Sequence, residues 1–217
     1  MKKVIQLAAV IAFSVASTAS LASMILSFDS SELSWVGQGE SHTVTPGDGY
    51  IFSGGEHRFD NSLRFAVASL NSPFGPDWDP RSGERYNYWH LSLAAPFDQV
   101  LGLGYYDNTA RYPFQNDDQP GLTFSGNHRA NNRNSGHFEI LEIVFDGIGN
   151  VTSLAVDFTQ YGETNPDWWI NGKLRFNSNV PISLPGTVLL LSLGMLASVG
   201  RGRKKSEQGP AARFRVG

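Results

Sequence analysis

The side chains that could do chemistry fall into three sets: closely spaced acids, scattered histidines, and tryptophans set among amides. Asp77 and Asp79 flank Trp78 at a spacing of two, which on an extended backbone turns both carboxylates to one side. With Asn71 or Glu84 they would supply the oxygen ligands that a calcium ion takes. The competing reading is a solvated acidic loop, because the EF-hand spacing and its terminal Glu are absent. Asp117 and Asp118 offer the same two readings. Glu139 and Glu142 stand three apart in an apolar run, so on a regular strand they project to opposite faces. That spacing argues against a two-carboxylate glycosidase site there.

The five histidines, His42, His57, His90, His128 and His137, include neither H-x-x-x-H nor H-E-x-x-H, which argues against zinc catalysis. His90, beside Trp89 in an alternating run, reads as a structural strand residue. No G-x-S-x-G elbow, P-loop or dinucleotide glycine fingerprint occurs. Cysteine is absent, which excludes disulfides, thiolate nucleophiles and Cys-based metal sites.

Tryptophan carries the remaining signal. Trp78, Trp168 and Trp169 lie beside Pro, Asp and Asn, a setting that predicts partial exposure and suits stacking on sugar rings with hydrogen bonds to their hydroxyls. Trp168 and Trp169 are adjacent, so a strand there would bury one and present the other. Trp89 reads as core.

The elements that must position these residues alternate with a period of two. Leu63, Phe65 and Val67 share one face, as do Leu154, Val156 and Phe158, each interleaved with polar residues. Asp146-Gly147-Ile148-Gly149-Asn150 is a hairpin connection between apolar runs. Strands are expected at Met24 to Phe28, Ser41 to Val44, Tyr50 to Ser53, Leu63 to Leu70, Tyr86 to Ala94, Val100 to Tyr105, Leu122 to Ser125, His137 to Phe145, Val151 to Tyr161 and Trp168 to Asn177. Asn71 to Arg85 and Asp107 to Gly121, rich in Pro and acids, are expected as long loops. The expected fold class is all-β, a two-sheet sandwich or jelly roll over residues 23–179.

Both termini read as addresses. Residues 1–22 open with Lys2 and Lys3, continue with an apolar run and end in small residues, the pattern of a cleaved signal peptide. Residues 182–200 are 19 residues without a charge, about 28 Å as a helix and close to the ~30 Å hydrocarbon core of a bilayer. Arg201, Arg203, Lys204 and Lys205 follow, and a short tail of residues 206–217 closes the chain. This predicts one C-terminal transmembrane helix with the basic end in the cytoplasm and the body outside. Between the two segments stand 9 basic and 19 acidic residues, a net charge of −10. So acidic a body argues against nucleic acid as a partner, which rewards Lys and Arg clusters.

Val180-Pro181, the apolar run and the cluster Arg201, Arg203, Lys204, Lys205 resemble the C-terminal sorting signal of PEP-CTERM proteins over residues 180–205. The chain has Ile182-Ser183 where that family usually has Glu-Pro or Leu-Pro, and it continues beyond the basic cluster. The resemblance implies export by a Gram-negative bacterium that makes exopolysaccharide, membrane attachment, and an exosortase-type processing enzyme as partner. Residues 100–178, through Thr109-Ala110-Arg111-Tyr112-Pro113-Phe114 and Pro120-Gly121-Leu122-Thr123-Phe124, also resemble uncharacterised secreted bacterial proteins. That second resemblance implies cysteines in relatives near the positions of Asn131 and Gly162, tying a loop to a strand end. The function expected is a non-catalytic envelope or matrix protein associated with polysaccharide; the alternative is a small exported hydrolase acting on carbohydrate.

Overall fold

A computed structural model describes residues 22–182. The expected signal peptide, and the apolar run and basic cluster after Ile182, lie outside the described residues. Among the described residues, no helix is long and apolar enough to cross a membrane. By its contacts the chain divides into two units, 1–180 and 181–217, and the first holds a β-domain.

Ten strands form it: β1 (Ser23–Ser30), β2 (Ser41–Val44), β3 (Tyr50–Gly54), β4 (Leu63–Ser69), β5 (Tyr88–Ala94), β6 (Gly104–Arg111), β7 (Gly121–Gly126), β8 (Asn134–Phe145), β9 (Val151–Gly162) and β10 (Trp169–Ser178). The described residues form an all-β domain, as their alternation predicts. Where two separate sheets were expected, hydrogen bonding runs through a single sheet in the order β2-β1-β10-β9-β8-β6-β7-β5-β4-β3. All pairings are antiparallel except β6 with β7.

The sheet folds over on itself because its apolar faces must meet. Phe28 of β1 packs edge-on against Trp89 of β5 at 5.5 Å, Phe124 of β7 meets Phe158 of β9 at 5.1 Å, and Phe65 of β4 meets Phe176 of β10 at 5.2 Å. Leu93, Leu122, Phe138, Leu154 and Val156 fill the space between and are inaccessible to solvent. The two edge strands, β2 and β3, are consecutive in the chain and joined by a short 3-10 turn. The Trp89 ring lies 5.0 Å from His42 of β2 and 5.9 Å from Tyr50 of β3, so the sheet nearly closes into a barrel. Gly172 permits one of these contacts, since a Cβ there would stand 2.1 Å from the Phe158 ring.

Two local features differ from a regular reading. The strand expected at Val100 to Tyr105 runs instead over Gly104–Arg111, into residues expected as loop. Its outer face meets solvent and so accepts Tyr105 and Asp107, and a register shift between Tyr106 and Thr109, with Asn108 left-handed, absorbs the polar step. In β8 the register shifts between Ile140 and Glu142, so that Glu139 faces Asp157 and Glu142 faces Ala155. Those partners are two apart on β9, so the two glutamates share a face rather than opposing each other.

The domain has two distinct ends. One, the loop end, carries the segments after β1, between β4 and β5, between β7 and β8, and between β9 and β10. The other, the exit end, carries the β3–β4, β5–β6 and β8–β9 connections and the point where β10 leaves the sheet. There Arg175, 1% exposed, pairs with Asp157 at 2.8 Å and donates from Nε to the Val180 carbonyl at 3.0 Å, fixing the departing segment.

Candidate functional site

Three loops at the loop end enclose a groove of about 390 Å³. In the first, Val36 is buried and Ser34 caps the turn by accepting from the Gly37 N–H at 3.1 Å, which leaves Leu33 and Trp35 facing outward. Trp35 is 56% exposed, with Glu32 and Gln38 beside it in the groove. The second loop contributes Asn131 and Asn132. The third contributes Glu163 and Trp168, its ends closed by the Gly162 N–H donating to the Trp168 carbonyl at 2.8 Å.

Glu163 ties the second loop to the third. Its N–H donates to the Arg133 carbonyl at 2.8 Å, and its Oε1 accepts from the Asn132 N–H at 2.8 Å. Oε2 lies 3.8 Å from Arg133 Nε. These bonds hold Glu163 and Thr164 in consecutive left-handed conformations, which side chains other than glycine seldom adopt. Asn131 is 5% exposed, and its Oδ1 has no hydrogen-bond partner among the described residues. A Cβ built on Gly162 would stand 3.3 Å from Asn131 Cγ, so the two positions where the second resemblance implies cysteines are side by side.

A patch of six aromatic rings lies on the far side of the β7–β8 loop. Trp78 meets Tyr86 edge-on at 5.3 Å, Tyr86 stacks on Tyr88 at 6.2 Å, and Phe74 contacts Tyr88 and His90. His128 accepts or donates to both tyrosine hydroxyls, at 3.2 Å and 3.1 Å. The His90 pKa is lowered, first by burial of its ring and then by the Arg64 guanidinium.

The expected site residues therefore gather at one end but not at one point. Trp168 lines the groove and Trp78 belongs to the aromatic patch. Trp169 begins β10 and is half-buried, as is Trp168, because Trp168 still belongs to the loop; the expected division into one buried and one presented ring does not occur. Asp77 and Asp79 are exposed, and Asp79 Oδ1 accepts from the Arg81 N–H at 2.8 Å. Among the described residues no three of His, Cys, Asp and Glu gather as a metal site requires. Trp89 lies in the core as expected, 3% exposed. Glu142, which shares a face with Glu139, is engaged by the Ser153 and Ser178 hydroxyls.

Glu32, Trp35 and Glu163 are groove residues that spacing does not reveal, since well over a hundred positions separate the first two from the third. The tight Gly162-Glu163-Thr164 turn was the one local signal. Compared with protein-family models, curated proteins and solved structures, the chain matches none.

Proposed function

We propose that this chain is a non-catalytic exported protein of the bacterial envelope or matrix, which binds uncharged polysaccharide in the groove of the loop end. The observation that carries the reading is the pairing of Trp35 and Trp168 with Glu32, Gln38, Asn132 and Glu163 around one open cleft. Aromatic faces stack on the apolar faces of sugar rings, while carboxylates and amides bond the hydroxyls. With two acids in its lining and a body charge of −10, the groove disfavours anionic glycans.

The topology belongs to the same proposal. Residues 1–22 are a cleaved signal, residues 182–200 a transmembrane anchor, and Val180-Pro181 with Arg201, Arg203, Lys204 and Lys205 a sorting signal for an exosortase-type enzyme.

Glu32 and Glu163 lining one cleft is the observation that favours a hydrolase instead. Glu163 already bonds the Asn132 N–H and lies beside Arg133, which leaves Glu32 without an equivalent acid partner in the groove. Binding is thus the better supported of the two. A glycan array probed with wild type and with Trp35→Ala and Trp168→Ala tests it: selective retention that both variants lose supports the reading, and equal retention by all three removes it. Release of sugar from bound glycan, abolished by Glu32→Gln, would establish the hydrolase.

A further inference from the structure

We infer that the outer face of β6, β8, β9 and β10 is a second glycan-binding surface, along which a neutral polysaccharide extends from the groove. This rests on the groove reading above, and adds a platform for a chain longer than the groove holds.

Four aromatic side chains mark the face. Register sets Trp169 of β10 opposite Tyr161 of β9, and His137 of β8 opposite Thr159, one outward position further along β9. Tyr105 of β6 stands opposite Glu139 one position beyond that, and its ring lies 5.3 Å from the His137 ring. On β9, the outward Asp157, Thr159 and Tyr161 alternate with the buried Val156, Phe158 and Gln160, so the four rings project from one side of the sheet. Diagonal neighbours on adjacent strands lie about 7–8 Å apart and directly opposed ones about 5 Å, which makes the line from Trp169 to Tyr105 about 20 Å long.

The phenol hydroxyls single this face out. Of the seven tyrosines, Tyr50, Tyr86, Tyr88, Tyr106 and Tyr112 each engage the hydroxyl in a hydrogen bond within the domain. Tyr105 and Tyr161 do not, among the described residues, and both lie on this face. The Trp169 indole N–H and the His137 ring nitrogens are likewise without a hydrogen-bond partner there. Rings that stack on sugars thus carry donors and acceptors still to be matched. In the six-ring patch around Trp78, by contrast, His128 already takes up both tyrosine hydroxyls.

Continuity with the groove selects a glycan as the occupant. Trp168 lines the groove and Trp169 begins the line; Glu163 of the groove follows Tyr161 by two residues, and Ser135, opposite Tyr161, follows Asn132 by three. Between the rings stand Thr159, Asn171 and Glu139, which suit hydroxyls better than the apolar core of a protein interface. Asp157 is paired with Arg175 and Lys173, which leaves Glu139 and Asp29 as the acids of the face, so anionic glycans are disfavoured here as in the groove.

A length series tests the platform. Oligosaccharides released from neutral exopolysaccharide by partial acid hydrolysis, separated by size, are titrated calorimetrically into full-length protein. Chains longer than about 20 Å should bind at least about fivefold tighter than those that only fill the groove. In Tyr105→Ala that ratio should fall to about one, and Tyr161→Phe, which removes only a hydroxyl, should lower it at least about twofold. Equal affinity for both lengths, or a gain that Tyr105→Ala keeps, overturns the platform, while short-chain binding lost in Trp168→Ala still upholds the groove. Long chains that bind where short ones do not, with binding lost in Tyr105→Ala, support the face and remove the groove. No binding at any length removes both. A dimer seen by light scattering and dissociated by Tyr105→Ala also overturns the platform, assigning the face to a second copy.

Discussion

The Gln160 side chain completes the backbone pairing of Phe124. Strand β6 pairs with β7 only at Ala110 and Arg111, so beyond Leu122 that edge of β7 has no neighbouring strand. Gln160, with no solvent exposure, accepts from the Phe124 N–H at 2.7 Å and donates Nε2 to its carbonyl at 2.9 Å. Its Oε1 also accepts from Asn134 Nδ2 at 3.1 Å. Gln160→Leu fills the space and leaves both Phe124 groups buried without partners, a loss of about 2–4 kcal/mol. Urea denaturation with an unchanged m-value checks this.

Asp60, Ser62 and Tyr112 form a second polar knot, beneath the exit end. Tyr112 donates to Asp60 Oδ2 at 2.8 Å and lies 2.9 Å from the Ser62 hydroxyl. Burial raises the Asp60 pKa, but bonds from Ser62 and Tyr112 and the Arg58 charge outweigh it and hold it below the usual carboxylate value. A group lowered in the folded state stabilises above its unfolded pKa, near 3.8, and loses that contribution as pH falls through the folded value. Tyr112→Phe is expected to cost about 1–2 kcal/mol at neutral pH. The wild-type advantage should shrink below pH 4, which thermal melts of the two proteins across pH read out.

His90 titrates in a different window. Its folded pKa lies below the ordinary value of 6.5, so the folded state binds a proton less readily than the unfolded chain. Stability is therefore full above pH 6.5 and declines as pH falls from there through the folded value. His90→Phe should flatten this slope between pH 7 and 5, measured as the dependence of Tm on pH, while leaving the decline below pH 4.

The Asn131 and Gly162 positions predict a cross-link. With the Gly162 Cβ site 3.3 Å from Asn131 Cγ, Asn131→Cys with Gly162→Cys should oxidise spontaneously. Closing a loop of about 30 residues should stabilise the domain by about 3–4 kcal/mol. The difference in Tm with and without reductant measures it, and failure to oxidise would mean that the two backbones are not side by side in solution.

Much of the fold was legible because nine of the strands carry a clean period of two or a continuous apolar run. In β9 the alternation is carried by Leu154, Val156 and Phe158, and in β4 by Leu63, Phe65 and Val67, all of them buried. Gly104–Arg111 escaped because only Tyr106 and Thr109 to Arg111 gain cover, and Asp107 and Asn108 resemble turn residues. Glu142 was misplaced because a register shift leaves no mark on side-chain spacing. The groove was half legible: Trp168 stood out beside Asp and Asn, whereas Glu32 and Glu163 meet only after β1 and β9 are brought to the same end by β10 between them.

The most direct test of the central claim is titration calorimetry of the full-length protein with oligosaccharides from neutral exopolysaccharide, comparing wild type, Trp168→Ala and Trp78→Ala. Loss of a stacking contact in the groove predicts binding by wild type and by Trp78→Ala, with at least about tenfold weaker binding by Trp168→Ala. Binding that Trp168→Ala leaves intact would contradict the groove as the site, whatever Trp78→Ala does.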